Sequence, residues 1–214
     1  MILLAGATNF IGQAVLQHLR LEGYEVRILL EPSLESPYLP PGRPTDVSVA
    51  SLTDARSVRS AMVGVERVIH AGSGYSYAEN DQVWVEAEGA RTLAEAAREA
   101  GVQRFLYMSH LGSDRLSAYP AMRAKAAAED HLRKSGVPHT ILRPALVYGA
   151  GDSFTSIAAA LMRRLPFILP VPGRPDTLVQ PLWVDELAVA VHWALEDASM
   201  VGRTIEIGGP EILS

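Results

Sequence analysis

The first 31 residues constrain the fold more than any other stretch of the chain. The apolar run at residues 2–5 has the composition of a buried strand, and the glycine-containing turn at residues 6–12 follows it directly. Apolar residues then recur at helical spacing until Gly23, and residues 25–30 are again strand-like. Strand, glycine turn, helix and second strand in this order predict one βαβ unit.

The glycines of the turn have a physical reason in phosphate binding. A helix N-terminus that directs free backbone N–H groups at a pyrophosphate has no room for side chains where the backbone meets the ligand. Gly6 and Gly12 match the first and third glycines of the dinucleotide fingerprint, and Asn9 stands at the second. The residues predicted to surround the diphosphate are Gly6, Thr8, Asn9, Phe10, Ile11 and Gly12.

Asn9 leaves an alternative open. Asparagine tolerates a left-handed backbone, but its side chain adds atoms at a point that the fingerprint leaves empty. The turn is then either a dinucleotide site or a tight connection in a chain that has lost the ligand.

Glu31, at the end of the second strand, bears on the choice of cofactor. An acidic side chain there suits the free ribose hydroxyls of NAD and repels the 2′-phosphate of NADP. The sequence thus favours NAD over NADP, although Arg27 and Arg43 are close enough in sequence to change this preference.

Composition limits the remaining possibilities. With 214 residues, 48% of them hydrophobic, the chain can bury a substantial core. A net charge of -5 without a basic cluster argues against nucleic acid or an anionic membrane as partner. The chain has no cysteine, no apolar run of membrane-spanning length and no finger-like histidine spacing, so we expect no disulfide, no membrane span and no metal. A strand that begins directly after Met1 leaves no room for a signal peptide, which predicts a cytoplasmic protein.

Strand-like and helical segments alternate six times along the chain. This rhythm predicts an α/β fold with a doubly wound parallel sheet, the NAD(P)-binding Rossmann fold. Residues 1–149 form the predicted dinucleotide-binding domain, and residues 150–214 add the remainder of the sheet and a small C-terminal substrate-side lobe. Ligands bind beyond the carboxyl ends of parallel strands, so residues 70–74 and Ser109 with His110 are expected near the cofactor.

A series of motifs in order gives the chain a family resemblance. They are Gly6-Ala7-Thr8, Phe10-Ile11-Gly12, Val68-Ile69-His70-Ala71-Gly72, Glu88-Gly89, Leu93-Ala94-Glu95-Ala96-Ala97, Gly101-Val102-Gln103-Arg104-Phe105, Leu142-Arg143-Pro144, Val147-Tyr148-Gly149 and Ile207-Gly208-Gly209-Pro210-Glu211. The chain resembles the short-chain dehydrogenase/reductase superfamily, most of all its NAD-dependent epimerase/dehydratase branch and atypical members related to an accessory subunit of NADH dehydrogenase. The resemblance implies further cofactor contacts, at Ser51, Leu52, Ala71, Gly72, Lys125 and Pro144.

The resemblance also implies a catalytic tyrosine and lysine four residues apart on one helical face, where one turn brings both to the cofactor. Lys125 matches the lysine, but Ala121 stands four residues before it. Tyr119 is the nearest tyrosine and precedes Pro120, a residue suited to a first helical turn. Either a loop adjustment brings Tyr119 into the site, or the acid has been lost, which the spacing favours.

The family's serine is expected after the fifth strand, where this chain has Ser109 and His110. His110 matches the position of the active hydroxyl, and Ser109 comes one residue early, with its side chain turned towards the sheet. His110 is a candidate general acid or base, with Ser109, Tyr119 and Lys125 completing a rearranged site. The alternative is a solvent-facing loop histidine.

Three hypotheses follow for the function. The first is an atypical short-chain dehydrogenase that binds a dinucleotide without the Tyr-Lys chemistry, and that acts as a redox sensor, an assembly factor or a scaffold for a protein partner. The second is an active oxidoreductase or epimerase with a rearranged site and a small-molecule substrate. The third is an interaction module that has lost the cofactor.

Overall fold

The computed structural model describes residues 1–32, 46–72, 79–164 and 177–213. Arg43, and Ser73 and Gly74 of the predicted segment 70–74, lie outside these ranges. Seven strands form one parallel sheet in the order β3-β2-β1-β4-β5-β6-β9. Their bounds are β1 Ile2–Ala5, β2 Val26–Leu30, β3 Asp46–Val49, β4 Arg67–His70, β5 Arg104–Met108, β6 His139–Pro144 and β9 Thr204–Ile207. The strand order reverses beside β1, as in a doubly wound Rossmann sheet, and the predicted fold class is confirmed.

Helices cover both faces of this sheet. The helices are α1 Phe10–Leu21, α2 Ala55–Ala61, α3 Glu79–Glu99, α4 Pro120–Ser135, α5 Ser153–Arg164 and α6 Val184–Glu196. One apolar core lies between the sheet and α2, α3 and α4, and a second lies between the sheet and α1 and α6. Along β1, Leu3 faces the first core and Leu4 the second, because successive side chains of a strand point to opposite faces. No helix in the described ranges combines the length and apolar character needed to cross a bilayer.

The chain after residue 149 contributes to two sheets. β9 pairs in parallel with β6 and completes the main sheet, as the sequence predicts. A separate pair joins β7 Val147–Tyr148 to β8 Leu182–Trp183. Val179, which precedes β8, forms an isolated antiparallel bridge with Leu213. The helix α5 has no buried residue and follows the β6–β7 segment at the rim of the sheet.

Candidate functional site

The turn between β1 and α1 is built by two glycines in close contact. Gly6 has a φ of +87°, a left-handed conformation that glycine adopts without strain. A Cβ atom on Gly12 would lie 1.9 Å from the carbonyl oxygen of Gly6, so only glycine fits this position. The first turn of α1 therefore packs directly against the end of β1, which is the arrangement that phosphate-binding turns require.

Asn9 is the N-cap of α1 and holds this turn to the neighbouring strand. Its backbone is extended, with φ -83° and ψ 167°, and not left-handed. Its Oδ1 accepts a hydrogen bond from the amide of Gly12 at 2.7 Å, and its Nδ2 donates to the carbonyl of Ala71 at 3.1 Å. Both polar atoms of the side chain are thus used in structural bonds, Oδ1 within the first turn of α1 and Nδ2 to the residue that follows β4.

The amides at the start of α1 are the groups that could meet a diphosphate. The N–H groups of Phe10 and Ile11 make no hydrogen bond to any residue in the described ranges, as expected for the first turn of a helix. Asn9, Phe10 and Ile11 line a cavity of about 340 Å³. The positive end of the helix dipole and two free donors therefore face an open space.

The cavity lies beyond the carboxyl ends of β1, β4, β5 and β6. Of the residues predicted for the site, those that line it are Asn9, Phe10, Ile11, Ala71, Gly72, Ser109, His110, Lys125 and Pro144. Those that do not line it are Gly6, Thr8, Gly12, Glu31, Ser51, Leu52 and Tyr119. The position of the cavity is the one that an open parallel sheet predicts for a ligand.

Lys125 lies at the floor of this cavity in an ion pair. Its Nζ donates to Glu86 Oε1 at 2.7 Å and to the carbonyl of Met108 at 3.0 Å, and it lies 5.1 Å from the centre of the Tyr107 ring. The hydroxyl of Tyr107 donates to the same Glu86 oxygen at 2.6 Å. Two of the three ammonium protons of Lys125 are therefore committed to the protein, and one is left for a ligand.

Glu86 and Tyr107 have shifted pKa values because of this contact. Burial acts to raise the pKa of Glu86, but the charge of Lys125, the electrostatic interaction with His70 and the hydrogen bonds from Lys125 and Tyr107 outweigh it, and the pKa lies well below its ordinary value. Burial first, and the charge of Glu86 second, raise the pKa of Tyr107 well above its ordinary value. The trio is thus a carboxylate, an ammonium and a neutral phenol at neutral pH.

His70 is fully buried at the end of β4. Neither ring nitrogen has a hydrogen-bond partner among the described residues, and the ring packs against Tyr107 with centroids 5.4 Å apart. Burial lowers its pKa to about 4, with the charge of Lys125 adding to this effect and that of Glu86 opposing it. His70 is therefore a neutral residue packed behind the cavity.

Ser109 is turned away from the ligand space into a buried network. Its Oγ donates to Glu129 Oε1 at 2.5 Å, and Glu129 also accepts hydrogen bonds from Arg143 and Arg133. Burial acts to raise the pKa of Glu129, but these hydrogen bonds prevail and lower it. The Ser109 hydroxyl thus holds α4 against the end of β5.

His110 and Tyr119 occupy different environments. His110 lies at the rim of the cavity, with Nδ1 2.6 Å from the carbonyl oxygen of Leu111. Tyr119 is the N-cap of α4 and is 72% exposed, outside the cavity lining. Arg123 bonds to the carbonyls of residues 117 and 118. Ala121, four residues before Lys125, lines the cavity where the family tyrosine is expected.

The predicted adenine-side residues lie at the ends of β2 and β3. Glu31 is exposed, yet crowding by neighbouring atoms raises its pKa, and the charge of Glu86 adds to the increase. The Ser51 hydroxyl lies 3.0 Å from that of Thr53, and Leu52 is buried under Gly89. Thr8 is exposed, and its carbonyl accepts a bond from a glutamine side chain on α1.

Several residues of the cavity were not predicted as site residues. Glu86 is one of them, and it accepts a hydrogen bond from Lys125 Nζ. This contact joins α3 to α4, and no pattern in the sequence predicts it. The other unpredicted lining residues are Val85, Met108, Ala121, Ala124, Ala145, Leu146, Val147, Asp152, Ser153 and Phe154.

The residues present fit a nicotinamide dinucleotide at the diphosphate end. The two free amides at the start of α1 and the remaining Lys125 proton together offer donors to an anionic ligand. The apolar lining from β6 and α5 offers a surface to a flat ring. The tyrosine that would complete the usual proton relay is not among the lining residues in the described ranges.

Comparison with known proteins agrees with this geometry. Residues 6–156 match a family described as NAD(P)H-binding. The chain is 31% identical over 98% of its length to the NADH dehydrogenase [ubiquinone] 1 alpha subcomplex subunit 9, mitochondrial, of Arabidopsis thaliana, of which it covers 54%. It is 33% identical over 79% of its length to a ceramide reductase of Caulobacter vibrioides, of which it covers 53%.

A solved structure gives the fold. An epimerase from Methanothermobacter thermautotrophicus superposes with a TM-score of 0.83 at 17% identity, with 99% of this chain and 72% of that chain covered. The chain spans about half the length of the two curated relatives named above. The family resemblance in the sequence is thereby confirmed. This chain belongs to the NAD(P)H-binding family, among the atypical members of the short-chain dehydrogenase/reductase and NAD-dependent epimerase-like group.

Proposed function

We propose that this chain binds NAD(H) or NADP(H) as an atypical short-chain dehydrogenase without the Tyr-Lys proton relay. The observation that carries the proposal is the pairing at the cavity floor. Ala121 takes the place of the tyrosine, and the Lys125 ammonium is held by Glu86 at 2.7 Å. A lysine neutralised in this way gives less help to the deprotonation of a neighbouring phenol. Tyr119, the tyrosine that precedes Lys125 in sequence at the start of α4, is exposed outside the cavity.

Each residue of the cavity has a defined part in binding. The amides of Phe10 and Ile11 donate to the diphosphate, and Asn9 keeps the turn closed against β4. Lys125 offers its third proton to a ribose hydroxyl, and Pro144 borders the ring-binding end. A nicotinamide cofactor would supply hydride chemistry when bound. We infer a preference for NAD, because Glu31 places an acidic group at the end of β2.

In this proposal the chain, with its dinucleotide bound, acts as a redox sensor, an assembly factor or a scaffold for a protein partner. The subunit name carried by the Arabidopsis relative supports a role in a protein complex. The chain covers 54% of that relative, so the existence of a protein partner is itself part of the proposal.

Calorimetric titration with NAD⁺, NADH, NADP⁺ and NADPH tests the binding function. We expect saturable binding of at least one form, and no steady NADH consumption with aldehydes, ketones or quinones. If none of the four forms binds at millimolar concentration, the chain is an interaction module and the proposal is wrong.

A second function is favoured by the position of His110 at the rim of the cavity. In this alternative the chain is an oxidoreductase or epimerase, in which His110 acts as acid or base beside Lys125. NADH consumption that is lost in His110→Ala and kept in Tyr119→Phe supports this alternative. A rate unaffected by both substitutions contradicts a rearranged site that uses His110, Ser109 and Tyr119.

A further inference from the structure

A cluster of metal-ligand side chains lies at the end of α1 opposite the glycine turn. His18 lies in the last turns of α1, Glu22 caps the C-terminus of that helix, and His192 lies on α6. One ligand atom of each side chain lies within 4.8 Å of those of the other two. The cluster joins helices that are far apart in sequence, since His18 and His192 are separated by 174 residues.

The two imidazoles are spaced like ligands of one ion. His18 Nε2 lies 3.2 Å from His192 Nδ1. Two nitrogens bound to one tetrahedral zinc ion at ~2.05 Å would be roughly 3.3 Å apart, so a small rotation of either ring suffices. Glu22 is exposed at the helix end and free to turn its carboxylate towards the same point. Both histidines are partly buried, so their backbone positions are held by the packing of α1 on α6.

An outer set of hydrogen bonds orients His192. Its second nitrogen, Nε2, lies 3.1 Å from the Tyr24 hydroxyl, and that hydroxyl donates to Glu196 Oε1 at 2.5 Å. Arg67 forms an ion pair with Glu196 and lies over the Tyr24 ring. Metal-binding histidines usually donate their other N–H to such a partner, which fixes the tautomer and the direction of the free lone pair. Here the hydrogen bonds that link the Glu196 carboxylate, the Tyr24 hydroxyl and the His192 ring direct Nδ1 of His192 towards His18.

We propose that His18, Glu22 and His192 form a site for a divalent transition metal, with Zn²⁺ as the ion that two imidazoles and one carboxylate suit best. Water would complete the coordination. The ion would bridge α1 and α6, the two helices that cover one face of the sheet, and so fasten the chain beyond residue 183 to the first βαβ unit. This site is separate from the dinucleotide cavity and does not depend on the proposed function.

Calorimetric titration of untagged, EDTA-treated protein with ZnCl₂ tests the site. We expect one Zn²⁺ per chain in the wild type and in the control His131→Gln, whose histidine lies on α4 outside the cluster. His18→Gln and His192→Gln should each weaken binding by more than about tenfold, and Tyr24→Phe by roughly tenfold through the lost orientation of His192. Absence of stoichiometric binding in the wild type overturns the proposal, and so does equal affinity in His192→Gln.

Two further measurements keep the test independent of misfolding. The exposed Glu22→Gln variant is expected to fold normally, as judged by circular dichroism, and to bind Zn²⁺ more weakly. Added Zn²⁺ should raise the Tm of the wild type and of His131→Gln, and leave the Tm of His192→Gln unchanged. An equal Zn²⁺-dependent rise in His192→Gln would show that the ion binds elsewhere and would overturn the assignment.

Discussion

Replacing Glu86 by glutamine removes the negative charge that Lys125 faces at the floor of the cavity. The side chains of Lys125 and Glu86 are 21% and 10% exposed, so the pair is largely shielded from water. Breaking a buried ion pair by removing one partner costs about 3–5 kcal/mol. Glutamine keeps an acceptor for the Tyr107 hydroxyl, and Lys125 keeps some contact with solvent, so we expect a loss of about 3 kcal/mol in the free energy of unfolding.

Urea unfolding at neutral pH measures this loss directly. For a chain of 214 residues, about 3 kcal/mol corresponds to a fall in Tm of roughly 6–12 °C. Glu88→Gln is the matched control, two residues further along α3, where Glu88 pairs with Arg91 on the surface. An exposed pair of this kind contributes less than about 1 kcal/mol, so the control should unfold nearly as the wild type does.

The pH dependence gives a second test of the same reasoning. Because the pKa of Glu86 in the folded protein lies below its ordinary value of 4.5, its stabilisation is present above about pH 4.5 and is lost as the pH falls further. The difference between wild type and Glu86→Gln should therefore shrink under acid conditions. Equal stability of Glu86→Gln and Glu88→Gln at neutral pH would refute the argument that the pair is buried and mutually dependent.

Three other substitutions test separate parts of the structure. The pKa of His70 is about 4 in the folded protein, against an ordinary value of 6.5. Between pH 4 and 6.5 the unfolded chain therefore binds a proton at His70 that the folded chain does not bind. The free energy of unfolding should fall with decreasing pH in this range, by up to about 1.4 kcal/mol per pH unit. In His70→Leu this part of the slope should vanish in urea unfolding at pH 7 and 5, and an unchanged slope would assign it to other groups. Asn9→Ala removes the helix cap and the bond to the Ala71 carbonyl, so we expect a loss of about 1–2 kcal/mol by the same method, with no loss if water replaces both bonds. Glu31→Arg should shift cofactor preference towards NADP(H) in parallel titrations, whereas an unchanged ratio would show that Glu31 does not contact the ribose.

Much of the fold could be predicted because strand and helix periodicity are local properties of the sequence. The first βαβ unit, predicted from residues 1–31, agrees with the structure. The β7–β8 pair could not be predicted, because each strand is only two residues long and is defined as a strand only by its pairing with the other. Short apolar stretches carry no periodicity of their own.

The site could be located from the sequence but not completed. Asn9 and His110 follow the ends of β1 and β5 and line the cavity, and Lys125, which the family resemblance implied, lines it from α4. The Glu86–Lys125 pair depends on where α3 and α4 lie on the sheet, and such tertiary contacts leave no pattern in a single sequence. The same holds for the hydrogen bond from Ser109 to Glu129, which joins the end of β5 to α4.

The parallel pairing of β6 with β9 has a consequence for the kinetics of folding. Joining these strands closes a chain segment about three times as long as the one between β1 and β2. The longer loop adds about 1 kcal/mol to the entropic cost of closure, and this cost arises before β9 makes any contact with β6. β9 is also an edge strand whose Thr204 and Glu206 are exposed, so its pairing with β6 buries little apolar surface to offset this cost. The edge strand is therefore expected to join a sheet whose centre has already assembled around β1 and β4.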